Sequence, residues 1–299
     1  MRAIACTFVF LAMMQSAYGA SPGERALAWS ESQRDAALGA VLVARKRVEA
    51  AESDLTVSRS VERDIRDGKD AAALAVVREA VSVSEQGLAE ARDLLKRAMA
   101  HLSRQENTLA AVRKSVADNG SNRALVIPMN GEVRRNIRGA YIDADPSIPL
   151  HPGERVEVGP NASARLFVAG GNAEVALSQN SSFTVTRDEA DGSFEALLNN
   201  GFGRLRVVIQ KYSKKFEVRT PSAVTSVRGT DFSLLASPAL TRIEVFKGVV
   251  QVRALEGTHT VEVHAGEGCE VLKDGGIQPV HPLDDQPRDN PWSTDVSSN

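Results

Sequence analysis

One long stripe of apolar positions runs through the first half of the chain. From residue 74 to residue 116 apolar side chains recur at alternating intervals of three and four, and eleven of the thirteen positions in this series are apolar. The two polar interruptions are Ser84 and Gln105. Such spacing lines one face of a helix and is typical of a coiled-coil seam. The predicted seam includes Leu74, Val77, Val81, Leu88, Leu95, Leu102, Leu109 and Val112.

A weaker series with the same spacing runs from Val41 to Ile65. The two series are separated by Asp67-Gly68-Lys69-Asp70, where glycine suits the end of one helix and aspartate can cap the start of the next. We therefore predict a coiled-coil helical hairpin over residues 22–118, with antiparallel arms. The alternative is one continuous bent helix that pairs with another chain.

From Leu125 onward the apolar period changes from 3.6 to 2. Short β-branched runs recur every 8 to 12 residues, divided by Gly, Asn, Asp and Pro. Between Arg204 and Ile209, for example, apolar and polar positions alternate. We predict an all-β unit of many short strands over residues 125–280, compatible with a β-roll, a β-solenoid or a sandwich. The expected fold class is α+β in separate units, and residues 281–299, rich in Pro, Asp, Asn and Ser, are predicted to be a disordered tail.

The first nineteen residues have the layout of a secretory signal peptide. Arg2 precedes an apolar run from Ile4 to Met14, and Ala17-Tyr18-Gly19 places small residues two apart. The run is much shorter than the ~20 residues that span a bilayer. We predict cleavage after Gly19, a periplasmic or secreted location, and no transmembrane helix once the signal is removed. The alternative is a retained single-pass anchor.

The composition argues against several classes of function. The chain has 36 Lys and Arg against 38 Asp and Glu, a net charge of -2, so no basic excess is available to neutralise nucleic acid. Aromatic residues make up only 5%, which is few for a surface that stacks on bases or sugars. Two cysteines cannot build a disulfide framework or a thiolate zinc site, and the sequence contains no recognised catalytic or metal-binding motif. We therefore predict no catalytic residue, no metal and no cofactor.

Several runs in the β region share one family pattern. The most specific stretch is Phe216-Glu217-Val218-Arg219-Thr220-Pro221, followed by Val227-Arg228-Gly229-Thr230-Asp231-Phe232. Flanking runs are Gly203-Arg204-Leu205-Arg206-Val207 and Ile243-Glu244-Val245-Phe246-Lys247-Gly248. Together they resemble the FecR domain, a bacterial extracytoplasmic all-β module. The resemblance covers residues 125–275, about half of the chain.

The resemblance implies a role in the bacterial envelope. In the family's best-known setting the domain lies in the periplasm and relays iron–siderophore occupancy of an outer-membrane transporter to a sigma factor. Those members carry a cytoplasmic anti-sigma segment, a transmembrane helix and a C-terminal domain that contacts the transporter. This sequence matches none of the three. The resemblance therefore implies a free-standing exported member with an N-terminal helical hairpin.

The family signature, which comprises Pro221, Arg228, Gly229, Thr230 and Asp231, also has a purely structural interpretation. Pro221 would end one strand, and Gly229 would allow a turn that other residues avoid. Arg228 and Asp231 are close enough across that turn to pair, and Thr230 could satisfy a turn amide. A binding contact is the alternative.

A small basic cluster is the candidate interaction surface in the sequence. Its members are Arg204, Arg206, Lys211, Lys214 and Lys215. Such a cluster could contact an acidic polysaccharide. The alternative is a solvated sheet edge whose charges discourage strand pairing.

These observations favour a non-catalytic, exported binding or scaffold protein of the cell envelope. Its FecR-like domain would bind a protein partner, and its helical hairpin would form a homo-oligomer or dock on that partner. A module that binds peptidoglycan or capsule is the alternative, against which the low aromatic content counts. An enzyme with an unrecognised site is the third hypothesis.

Overall fold

The computed structural model describes residues 20–67, 71–168, 173–188, 193–199, 203–209, 215–227, 229–257 and 259–283. The predicted signal peptide, the predicted helix break at Gly68 and residues 284–299 of the predicted tail lie outside this described part. The first residues of that tail, His281–Pro282, form a short strand.

Two long helices form the N-terminal half of the chain, α1 (Pro22–Asp67) and α2 (Ala71–Asn119). A capping box starts α1, since the Ser21 amide donates to Glu24 Oε2 at 2.7 Å and the Glu24 amide donates to Ser21 Oγ at 3.3 Å. The hydrogen bond from the Ser21 amide lowers the pKa of Glu24. Pro22 occupies the first helical position, where its missing N–H costs no intrahelical bond.

The helices α1 and α2 run antiparallel and contact each other along the predicted seam. Ser58 Oγ lies 3.1 Å from Ser84 Oγ, and Arg59 Nη2 donates to Glu85 Oε1 at 2.8 Å. Arg92 Nη2 donates to Glu52 Oε1 at 3.0 Å, so the α2 partner rises from residue 85 to 92 while the α1 residue falls from 59 to 52, as an antiparallel register requires. All eight seam residues named above are buried or half-buried: Leu74, Val77, Val81, Leu88, Leu95, Leu102, Leu109 and Val112. The predicted antiparallel hairpin is confirmed.

The rest of the described chain consists of strands and the turns and loops that connect them. In chain order they are β1 (Leu125–Asn130), β2 (Val133–Ile137), β3 (Ala140–Asp143), β4 (Arg155–Val158), β5 (Ser163–Phe167), β6 (Ala173–Leu177), β7 (Ser181–Asp188), β8 (Ser193–Asn199), β9 (Gly203–Ile209), β10 (Lys215–Arg219), β11 (Ala223–Val227), β12 (Asp231–Ala236), β13 (Leu240–Lys247), β14 (Val249–Ala254), β15 (Thr260–His264), β16 (Glu267–Leu272) and β17 (His281–Pro282). The predicted fold class, a helical N-terminal part followed by an all-β part, is confirmed.

The strands form two sheets. The eight-stranded sheet has the order β1-β5-β6-β9-β12-β13-β16-β17, and the nine-stranded sheet has the order β15-β14-β11-β10-β8-β7-β4-β2-β3. The pair β8 and β10 is parallel, whereas sequential neighbours such as β12 and β13 are antiparallel.

A single apolar core contains side chains from both sheets. Leu205 and Phe232 contribute from the eight-stranded sheet, and Phe194 and Phe216 from the nine-stranded sheet. The rings of Phe194 and Phe216 stack with centroids 4.5 Å apart. Each fully buried side chain of this size contributes about 1.5–3 kcal/mol. Because one cluster joins both sheets, they pack face to face as a sandwich.

Two of the corners that carry the chain from one sheet to the other contain glycines of the family pattern. The connection from β11 to β12 includes Gly229, and the connection from β13 to β14 is made at Gly248. Both glycines have positive φ, +75° and +83°. The turn at Lys247-Gly248 is therefore a corner between the two sheets.

The chain divides into two compact units. One comprises Met1–Leu27 together with Ala111–Asn299, and the other comprises Ala28–Ala110. The first residues of α1 and the last of α2 thus belong with the two sheets, and the Gly23 amide donates to the Ser121 carbonyl at 2.7 Å. None of the described helices has a segment long and apolar enough to cross a membrane.

Candidate interaction surface

Three residues of the family signature, Gly229, Thr230 and Asp231, lie where β11 leads into β12. At the neighbouring corner, a Cβ on Gly248 would lie 2.8 Å from Thr230 Cγ2 and 2.9 Å from the Gly229 carbonyl oxygen. The two corners therefore pack directly against each other, and the position of Gly248 has no room for a side chain. Its positive φ adds a second reason for glycine.

The remaining signature residues are placed as follows. Thr230 is buried, and its carbonyl accepts the Ile209 amide at 2.9 Å. Its hydroxyl has no hydrogen-bond partner among the described residues, so the expected bond to a turn amide is not found there. Pro221 is exposed in the turn between β10 and β11, and Arg228 lies outside the described residues.

A buried cluster of three hydroxyl groups beside the β10–β11 turn was not anticipated from the sequence. Thr241 Oγ1 lies 2.7 Å from both Thr220 Oγ1 and Ser222 Oγ. The Thr220 hydroxyl also contacts the Ala223 carbonyl, and the Ser222 hydroxyl contacts the Val271 carbonyl, each at 3.2 Å. Since Thr241 and Val271 belong to the eight-stranded sheet, the cluster ties the two sheets together at this end.

Asp231, the last signature residue, pairs with Arg206 on the outer face of the eight-stranded sheet. Arg206 Nε and Nη2 donate to the two carboxylate oxygens at 2.9 and 2.7 Å, a bidentate arrangement. The hydrogen bonds to Asp231 raise the pKa of Arg206. Asp231 therefore fixes both the position and the charge of this guanidinium group.

The guanidinium group of Arg206 in turn covers an exposed aromatic ring. Its central carbon lies 4.9 Å from the ring centroid of Phe246, within the range of a cation–π contact. Phe246 is nevertheless 44% exposed. Asp231, Arg206 and Phe246 thus form a preorganised aromatic and cationic patch, called here the Phe246 patch.

Other charged side chains on the same outer face pair with one another. Arg165 pairs with Glu174, and Arg242 Nη2 lies 2.6 Å from Glu270 Oε1. A partner that covers the Phe246 patch therefore meets charges that are already compensated. Such pairs cost less to desolvate than isolated ions do.

The predicted basic cluster is only partly described. Arg204 and Arg206 lie two residues apart on the same side of β9, and Arg206 is bound by Asp231. Lys211, Lys214 and the side chain of Lys215 lie outside the described residues. Because its charge is compensated by Asp231, Arg206 adds little net positive charge to this surface.

A buried arginine at the start of α1 was also not anticipated. Arg25 Nη1 and Nη2 donate to the carbonyls of Ala173 and Val168 at 2.9 and 2.5 Å. Burial lowers the pKa of Arg25 to about 10. These bonds fix the first turn of α1 on the ends of β5 and β6.

The described part of the chain offers little reactive chemistry. Cys269 is fully buried, and burial raises the pKa of its thiol to about 12, so almost no reactive thiolate forms near neutral pH. Among the described residues, no group of three or more His, Cys, Asp or Glu side chains could hold a metal ion.

Comparison with known proteins identifies the β region. The family model described as FecR protein matches residues 154–251, a stretch that contains the signature corner and the Phe246 patch. Two crystal structures of a candidate anti-sigma factor from Parabacteroides distasonis ATCC 8503, at 1.65 and 2.50 Å resolution, are similar to this chain at 20% identity, with TM-scores of 0.37 and 0.38. The match covers 44% of this chain and spans 60% of the length of that protein. A search of curated proteins finds no match. Residues 154–251 of this chain therefore form a FecR-like domain.

Proposed function

We propose that this chain is an exported, non-catalytic interaction protein of the bacterial cell envelope, and that its FecR domain binds a partner protein through the Phe246 patch. The observation that carries the proposal is the exposed ring of Phe246, which is covered by the Arg206 guanidinium group. Asp231 holds that guanidinium group in place. The FecR match supports an envelope role, and the patch supplies a concrete contact surface for it.

The chemistry of the patch suits a protein partner. Aromatic and arginine side chains are enriched among the residues that dominate binding free energy at protein interfaces. Such residues contribute most when they are rigid before binding, because ordering them in the complex then costs little entropy. The bidentate bond from Arg206 to Asp231 provides that rigidity.

Export is part of the same proposal. The signal layout of residues 1–19 supports cleavage after Gly19 and a periplasmic or secreted mature chain. N-terminal sequencing of the native protein should begin at Ala20. Recovery of intact Met1 from the inner-membrane fraction would indicate a retained anchor instead.

The partner is tested by affinity purification of the full chain from chemically cross-linked cell envelopes. We expect a defined protein to copurify with the wild type, and Phe246→Ser to reduce its yield about tenfold or more, since truncating a dominant interface residue costs about 2 kcal/mol. The matched control is Tyr141→Ser, because Tyr141 is an exposed aromatic residue on β3, in the other sheet.

Two results would contradict the proposal. Equal recovery of the partner with wild type and Phe246→Ser would remove the Phe246 patch as the contact. Retention of the chain on purified peptidoglycan, with no protein partner, would favour a glycan-binding module.

A further inference from the structure

The two flanks of the helical hairpin differ in chemistry. One flank, called the ion-pair flank, joins the helices by Arg59–Glu85 and Arg92–Glu52 at 2.8 and 3.0 Å. The other flank, called the valine flank, includes the exposed side chains of Val57, Val61, Val76 and Val83. These side chains are between 41% and 68% exposed. Val83 precedes Glu85 by two residues, or about 200° around α2, which places it on the opposite side of the seam.

Small residues lie between the valines on the same flank. Ala50 on α1 and Ala80 on α2 are exposed, and Gly87 lies one turn beyond Val83. A Cβ at Gly87 would meet no atom of the described chain within 4 Å. Glycine inside a helix costs about 1 kcal/mol relative to alanine, and the packing of the hairpin does not require it here. Its absence of a side chain leaves room for the backbone of another helix.

Opposite charges stand at the two ends of the valine flank on α1. Arg47 and Asp64 are both exposed, and neither forms an ion pair within the described residues. They are seventeen residues apart in the sequence, which corresponds to about 25 Å along a helix. If two hairpins pack through this flank in antiparallel orientation, Arg47 of each copy faces Asp64 of the other.

The position of Gly87 agrees with that arrangement. A two-fold axis that brings Arg47 and Asp64 together passes midway between them, near residues 55 and 56 of α1. The register set by Ser58 and Ser84 places Gly87 at this level of α2. The two α2 helices therefore approach each other most closely where the side chain is missing.

We propose that a second copy of this chain packs on the valine flank in an antiparallel, two-fold arrangement. The occupant is a copy because the flank itself carries both halves of the complementary charge pattern. The interface buries the four valines of each copy and pairs Arg47 with Asp64 twice. It does not depend on the partner of the FecR domain.

Two carboxylates oppose this interface, those of Asp54 and of Glu90, which follows Val83 by seven residues on the same face of α2, and Asp54 provides a test of opposite sign. Asp54 is exposed on the valine flank and lies close to the two-fold axis. In the dimer its carboxylate approaches that of the second copy, and like charges destabilise a contact. Asp54→Asn should therefore tighten the dimer.

The experiment is sedimentation equilibrium of the full chain at about physiological salt, with helix content followed by circular dichroism. Val83→Glu should raise the dimer dissociation constant about 100-fold or more, because it places a carboxylate in an apolar contact on both copies. Leu42→Glu is the matched control: Leu42 is 52% exposed on the side of α1 that carries the ion-pair flank, so dimerisation should not change. Both sites are exposed, so helix content should stay at the wild-type value.

A charge reversal tests the orientation of the two copies. Arg47→Glu should weaken the dimer about fivefold or more, and adding Asp64→Arg should restore it, because two exposed pairs at about 0.2–1 kcal/mol each are broken and then remade. A wild-type chain that stays monomeric at about 100 μM overturns the proposal. So does a dimer that is disrupted by Leu42→Glu and not by Val83→Glu. A charge reversal without rescue overturns the antiparallel orientation.

Discussion

Breaking the bond between Arg206 and Asp231 tests whether the family signature has the structural role assigned to it. The pair makes two hydrogen bonds between ionised groups, and the two side chains are only 27% and 21% exposed. A hydrogen bond to a charged group contributes about 1.5–3 kcal/mol, whereas an exposed ion pair contributes about 0.2–1 kcal/mol. The intermediate burial of this pair predicts a coupling free energy of about 1–2 kcal/mol.

A double-mutant cycle with Asp231→Asn and Arg206→Gln isolates that coupling. The assay is the urea dependence of amide hydrogen exchange in β9 and β12, which reports on the two-sheet unit without interference from the helices. Glu132→Gln is the control, because Glu132 pairs with Arg134 on an exposed surface. That variant should lower the free energy of unfolding by less than about 0.5 kcal/mol. A coupling below about 0.3 kcal/mol between Arg206 and Asp231 would refute the assigned role.

Three further predictions concern single positions. Gly248→Ala should destabilise the two-sheet unit by about 2 kcal/mol or more in the same exchange assay, because its Cβ would lie 2.8 Å from the facing corner. Gly139→Ala, also at positive φ but in open space, should cost only about 1 kcal/mol, and equal costs would contradict the argument from packing. Leu95→Asp should reduce helix content measured by circular dichroism, because a carboxylate in the seam costs several kcal/mol; unchanged helix content would show that the seam is wrongly assigned. Burial and, to a lesser degree, the charge of Arg104 lower the pKa of His101 below its ordinary value of 6.5. As the pH falls below 6.5, the unfolded chain therefore binds a proton at His101 more readily than the folded chain does, and the stability of the hairpin to urea should decrease. The variant His101→Gln should remove this loss of stability.

The helical half of the chain could be predicted because its apolar spacing is a local pattern that continues over a long stretch of sequence. The apolar spacing through Leu88 and Leu109 extends over many turns, and both side chains are buried where the spacing places them. The capping box of Ser21 and Glu24 is also readable from the sequence, since its four residues are contiguous. Which flank of the hairpin carries the ion pairs was not predictable, because it depends on the register between α1 and α2.

The sheet order and the Phe246 patch could not be derived from the sequence in the same way. The run Ser193–Asn199, with Phe, Glu, Ala and two Leu residues, has no strand-like alternation, yet it forms β8 and pairs in parallel with β10. Arg206 and Asp231 are 25 residues apart and meet only because β9 and β12 are neighbours in the sheet. The sequence suggested Arg228 as the partner of Asp231, whereas the described contacts pair Asp231 with Arg206.

Buried polar groups escaped prediction for the same reason. Thr220 and Ser222, in the turn between β10 and β11, meet Thr241 on β13 of the other sheet, and no local pattern marks them. Arg25 binds carbonyls that lie 143 and 148 residues away along the chain. Hydrogen bonds of this kind depend on tertiary contacts, because the cost of burying each polar group is compensated only by a partner that the fold supplies.

Site-specific photo-cross-linking in intact cells tests the central claim most directly. A photoreactive amino acid replaces Phe246 in the full chain, and the control carries it at Glu262, which is exposed on β15 of the other sheet. The account predicts one discrete protein adduct from position 246, outside the cytoplasm, and no such adduct from position 262. Absence of a protein adduct at position 246, or the same adduct from both positions, would contradict the assignment of the Phe246 patch as a protein-binding surface.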